Sequence, residues 1–93
     1  MIGVIVNEQK IKNKKVDMSE LSSILRPSDC LEKTSCREEV PEVLKYFRKN
    51  NIDSIIIAGG DGTINSVVEG MIQVYDFYLD KIPTLVTTRK VGT

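Results

Sequence analysis

Histidine and tryptophan are absent from this sequence, and cysteine is nearly so. Without histidine, the Ser-His and Cys-His catalytic arrangements are excluded. The two cysteines, Cys30 and Cys36, are six positions apart. One such pair is a poor disulfide framework and a worse zinc site, so we expect no protein metal site and two reduced thiols in a cytoplasmic protein. An excess of one charge is also missing, since 13 Lys and Arg face 13 Asp and Glu. No global field steers such a chain onto DNA or RNA, and nucleic acid is not an expected partner. The longest unbroken apolar run, Ile55–Ala58, has four residues, whereas a membrane span needs about 20. The opening MIGVIVNEQK has no basic lead-in and no small-residue cleavage site, and no signal peptide is expected.

What the chain does have is β-branched residues: eleven isoleucines and ten valines against one alanine. That excess predicts a buried sheet rather than a helical bundle. Ninety-three residues, 41% hydrophobic and 28% charged, make one globular domain at the small end of the usual range. Ile2–Val6 reads as a buried strand, followed by a lysine-bearing loop at Lys10–Lys15. Asp17 with Glu20 forms a candidate capping box for a helix carrying Leu21, Ile24 and Leu25 on one face, stopped by Pro27. Cys30–Thr34 is a second strand. Ser35 with Glu38 is a second candidate capping box. Val40, Val43, Leu44 and Phe47 then follow the i, i+3, i+4, i+7 spacing of an amphipathic helix that Asn50-Asn51 ends. Asp53–Ala58 is the strongest strand, its consecutive isoleucines implying burial on both faces. A turn at Gly59–Thr63 leads to a helix over residues 64–75, with Ile64, Val67, Val68, Met71 and Ile72 as its apolar stripe. Thr84–Thr88 closes the series. The alternation predicts an α/β fold, a three-layer parallel sheet with helices on both faces.

One segment carries chemistry: Gly59-Gly60-Asp61-Gly62-Thr63-Ile64-Asn65, between the strongest strand and a helix. Ligands of open parallel sheets bind at the C-terminal ends of strands. Glycines let the backbone approach a ligand closely. The free N–H groups and positive dipole end of the following helix then form an anion site suited to phosphate. Thr63 and Asn65 add donors. Asp61 is unusual beside phosphate unless a metal or an ordered donor network offsets its charge. The spacing is neither a dinucleotide fingerprint, since Asn65 stands where a third glycine is needed, nor a P-loop, since no Gly-Lys-Ser/Thr follows.

This signature, continued by Val67-Val68 and Gly70, resembles that of the diacylglycerol kinase catalytic domain family, which includes bacterial lipid kinases, sphingosine kinases and ceramide kinases. NAD kinases and phosphofructokinases share only its Gly-Gly-Asp-Gly core. The resemblance runs along the whole chain. It implies nucleotide contact by Asn7 after the first strand, by Thr34 ending the second, by Gly60, Asp61, Gly62, Thr63, Ile64, Asn65 and Ser66 at the turn and helix start, and by Thr93 in a final Gly-Thr. No residue here is implied as the certain catalytic group, and Asp61 takes a supporting role. The cofactors implied are ATP and Mg2+, with most magnesium ligands elsewhere, and the acceptor is a lipid hydroxyl of diacylglycerol type.

The chain departs from the family pattern at Glu8, Gln9 and Lys10 after the first strand, at Ser66, where glutamate is frequent, and at Lys90, where proline is frequent. Such kinases carry a second, β-rich domain holding the acceptor cleft and the base. Residues 1–93 are therefore expected to be the incomplete N-terminal, nucleotide-binding part of a two-domain lipid kinase, inactive alone and inclined to associate through its uncovered edge. A non-catalytic nucleotide-binding module and a fragment of an NAD kinase-like enzyme are the alternatives. Peripheral membrane contact through Lys10–Lys15 is a weaker expectation than phosphate attraction or simple solvation of that loop.

Overall fold

Isoleucine and valine crowd the strands of this chain, and the sheet they build is parallel throughout. The structure, a computed structural model, describes residues 1–9 and 18–87. Its elements are β1 (Ile2–Asn7), α1 (Met18–Ile24), β2 (Cys30–Thr34), a 3-10 turn (Arg37–Glu39), α2 (Val40–Lys49), β3 (Ser54–Ala58), α3 (Asp61–Val74) and β4 (Thr84–Thr87). The strand order is β2-β1-β3-β4, with every pairing parallel. The expected α/β architecture is thus present. The Lys10–Lys15 loop, Asp17, Thr88, Gly92 and Thr93 lie outside the described residues.

Strand alternation divides the core. Ile5, Ile55 and Ile57 face α2 and α3, where they meet Val40, Leu44, Phe47, Val67 and Met71. Val4, Val6 and Ala58 take the opposite face, against Leu25, Leu31 and Ile56. Leu25 follows α1, so that helix leads into the second layer. The two helices on the first face meet closely at Gly70, where an added Cβ would stand 2.7 Å from Leu44 Cδ1. Glycine is weak within a helix, and this contact explains its presence.

Several element boundaries differ from expectation. Helix α3 begins at Asp61 with Gly60 as its N-cap, three residues before the expected start. Glycine propensity argues against helix at Gly62, but the helix reaches back to the strand end because Thr63 fits over Gly59 and accepts a hydrogen bond from Asn7. On α3, Val67 and Met71 are buried, whereas Val68 and Ile72 are 42% and 64% exposed. The sheet takes up only one side of the stripe. Ile24 of α1 is also exposed rather than packed. Asp53 precedes β3 and does not belong to it. The capping partner after β2 is Glu39, not Glu38: its Oε1 accepts from the Ser35 N–H at 2.8 Å and the Cys36 N–H at 3.1 Å. The 3-10 turn brings position 39 rather than 38 back over the strand end. Asn51 sits at φ 56°, closing α2 in the left-handed region as Asn tolerates.

Asp29 ties β1 to the start of β2. Its carboxylate accepts the Ile2 N–H at 2.8 Å and the Arg26 N–H at 2.9 Å. Those two bonds, the Ile2 bond first, hold its pKa below the usual aspartate range. A depressed folded pKa gives stability that is present above the unfolded value and lost as pH falls through the folded one. The Asp29→Asn variant is therefore expected to melt below wild type at neutral pH, with the gap closing as pH drops through the carboxylate range. Thermal melts from neutral to acid pH check this; a gap of constant size contradicts it.

Candidate functional site

The C-terminal ends of β1, β2 and β3 converge because their registers match. Asn7 pairs with Thr34, and Val6 pairs with Ala58 just before the glycine turn. Three chain segments therefore meet at one edge of the sheet, where parallel α/β sheets bind ligands. They enclose a cleft of about 370 Å3 lined by Asn7 from β1, Thr34 to Arg37 from the β2 end, Val40, and Gly60 to Thr63 with Ser66 from α3.

Asn7 is fixed on both sides. Its Nδ2 donates to Thr63 Oγ1 at 3.1 Å, and its Oδ1 accepts the Gln9 N–H at 2.9 Å. The first contact ties β1 to the first turn of α3 across a separation of 56 residues. Thr63 is packed tightly from below as well: a Cβ at Gly59 would lie 2.6 Å from its Oγ1 and 2.8 Å from its Cβ. Glycine at 59 is what allows the helix to start this close to the strand. Thr34 and Thr63 are the two buried polar residues of the described chain, and both border the cleft. Ser66 bonds back along the helix, its Oγ donating to the Gly62 carbonyl at 2.9 Å.

Gly62 is different. A Cβ there would meet nothing within 4 Å. No contact among the described residues requires glycine at this place, and glycine in a helix costs about 0.5–1 kcal/mol relative to alanine. The bare Cα leaves backbone open to whatever occupies the cleft.

Of the residues expected at the site, Asn7, Thr34, Gly60, Asp61, Gly62, Thr63 and Ser66 come together here. Ile64 packs half-buried against the core and Asn65 is exposed, and neither lines the cleft. Thr93 lies outside the described residues. Ser35, Cys36, Arg37 and Val40 complete the wall, and sequence reasoning did not single them out for the site. Their position directly after a strand end was the available signal. The Glu39 carboxylate clamps this wall, accepting also from Ser35 Oγ. The Ser35 hydroxyl and N–H, followed by Cys36, hold Glu39 below its usual pKa. Cys36 is shifted the other way, its thiol raised by desolvation first and then by Glu38 and Glu39, so it is not an activated nucleophile. Both cysteines are free thiols.

The cleft combines hydroxyls, an amide, a helix start and bare glycine backbone, with one carboxylate and one guanidinium at its rim. Such a set suits an anionic, phosphate-bearing ligand. Among the described residues, no three His, Cys, Asp or Glu side chains gather as a metal cluster, and no helix is long and apolar enough to cross a membrane. A family model described as the diacylglycerol kinase catalytic domain matches residues 1–87. Comparison with curated proteins returned no match.

Proposed function

The chain belongs to the diacylglycerol kinase catalytic domain family, a family of kinases, and from that premise we propose that its cleft binds ATP for phosphoryl transfer to a lipid hydroxyl of diacylglycerol type. The observation that carries this reading is Gly62: a helix residue whose missing side chain serves no neighbour within 4 Å among the described residues and which borders a cleft large enough for a phosphate chain.

In this reading the first turn of α3 receives the phosphates on its open N–H groups, where the dipole favours negative charge. Thr63 holds the turn against β1 through Asn7, so the donors are positioned before the nucleotide arrives. Asn7, Thr34 and Ser66 line the same space and supply neutral hydrogen-bonding groups. Transfer forms a bond between the acceptor hydroxyl oxygen and the γ-phosphorus and breaks the bond from that phosphorus to the β,γ-bridging oxygen. ADP leaves with the electron pair, and the hydroxyl proton passes to a general base. Catalysis of this kind is mostly positioning and charge stabilisation. Magnesium, when bound, neutralises phosphate charge. With no ligand cluster among the described residues, it would rest mainly on nucleotide oxygens and water, with Asp61 the carboxylate bordering the cleft. We further propose that residues 1–93 form the nucleotide side of the kinase, with the acceptor cleft and base in a second domain.

Substituting Gly62 with Ala tests the reading. The fold should be unharmed or stabilised by up to about 0.5–1 kcal/mol, because a methyl replaces nothing and restricts the unfolded chain. ATP affinity should nevertheless fall about 5- to 150-fold, since the methyl overpacks the bound complex by about 1–3 kcal/mol. Calorimetric titration with ATP alongside thermal melting reads both. Unchanged affinity in a folded variant would remove the main support for nucleotide binding here.

A further inference from the structure

The cleft wall contains one cation among the described residues, Arg37. It stands in the 3-10 turn after β2, and the carboxylate of Glu39 fixes the base of that turn through the Ser35 and Cys36 N–H groups. The Arg37 guanidinium crosses to α3 and pairs through Nη2 with Oε2 of Glu69. Glu69 lies three residues beyond Ser66, which borders the cleft. The ion pair therefore links the turn after β2 to α3 beside the cleft, with both side chains more than half exposed.

Two features make this more than a surface ion pair. First, the rest of the wall is neutral except for Asp61, which is negative. Among the described residues, a polyphosphate entering this cleft would meet helix N–H groups and hydroxyls, but only one full positive charge. Second, the pair is exposed, and exposed pairs are worth only about 0–1 kcal/mol. A guanidinium bonded to phosphate in a partly enclosed cleft gains more, because its planar fork matches phosphate oxygens and the bonds are charge-assisted. The exchange of partners is thus downhill.

We propose that Arg37 is a nucleotide-contacting residue held in reserve by Glu69, releasing this carboxylate to bind the phosphate chain of the nucleotide. Glu69 is its positioning partner: it keeps the guanidinium beside the cleft before binding and competes with phosphate for it. The inference rests on the nucleotide reading given above, and it adds a charged contact and a competing carboxylate to it.

The test is ATP affinity in the full chain, measured calorimetrically for wild type, Arg37→Ala, Glu69→Gln and the double variant. Removing Arg37 is expected to weaken ATP about tenfold or more, the range for losing a charged hydrogen bond. Removing the charge of Glu69 is expected to strengthen ATP about two- to fivefold, the worth of an exposed ion pair that no longer has to break. That gain acts through Arg37, so it is absent in the double variant relative to Arg37→Ala alone. Unchanged affinity in either single variant, a loss in Glu69→Gln, or a gain that survives without Arg37 overturns the proposal. If wild type binds no ATP, the nucleotide reading itself fails, and this inference with it.

Discussion

Replacing Asp61 with Ala is expected to abolish most phosphoryl transfer by the kinase, lowering kcat on the order of a hundredfold or more, the loss that follows removal of one preorganised electrostatic group. The physical case starts from its place. Asp61 is the first residue of α3, directly after the N-cap Gly60, and it borders the cleft. An acidic residue in the first turn is favourable for the helix, by about 0.3–1 kcal/mol through the dipole. That explains how the fold tolerates it, not why a phosphate site would want it. Beside a polyphosphate the same carboxylate is repulsive unless a cation lies between them. If Asp61 mediates through a cation, its loss should depend on magnesium. Nucleotide affinity in Asp61→Ala should fall when magnesium is present and hold or rise when magnesium is removed. Asp61→Asn keeps the size of the side chain and should behave like Ala, because the charge is what matters. Near-normal turnover in either variant would show that the carboxylate serves the helix alone. A melting temperature close to wild type separates the two roles, since a first-turn charge on an exposed residue moves stability little.

The largest effect on stability is expected at Phe47. This ring is fully buried, among the largest side chains so placed, and belongs to the cluster between α2 and the sheet. A Cβ added at Gly3 of β1 would lie 2.7 Å from its Cε2, so the strand has given up a side chain to receive the ring. Truncation leaves a cavity that a rigid sheet cannot close. Phe47→Ala should cost about 3–5 kcal/mol. Single domains have about 5–15 kcal/mol in total, and the smallest sit low in that range. Urea unfolding followed by circular dichroism should therefore show the midpoint falling by half or more, or no folded baseline at all. Gly3→Ala should be harmful in the same place for the opposite reason, by forcing a methyl against the ring. A loss below about 1 kcal/mol in Phe47→Ala would mean that the α2 contact is not what holds the sheet.

The sequence by itself determined the parts that depend on local periodicity. The Val40-Val43-Leu44-Phe47 spacing makes one face of α2, and Val40, Leu44 and Phe47 are indeed its buried residues. Ile55-Ile56-Ile57 marks a central strand, which β3 is, flanked by β1 and β4. Cys30–Thr34 is β2 to the residue. The glycine-rich segment marks where a strand meets a helix start, because no other element needs bare backbone at that density. Tertiary structure decided what those local rules leave open. Asn7 and Thr34 become neighbours only through strand register, a choice set by which faces must be buried rather than by either residue. The early start of α3 depends on Thr63 fitting over Gly59 and bonding Asn7, a contact across most of the chain. The fate of Val68 and Ile72 depends on how much of α3 the sheet can cover, which periodicity cannot report. Arg37 reads in sequence as one more charge before a helix. Its meeting with Glu69 of α3 exists only once α2 and α3 lie side by side on the same face of the sheet.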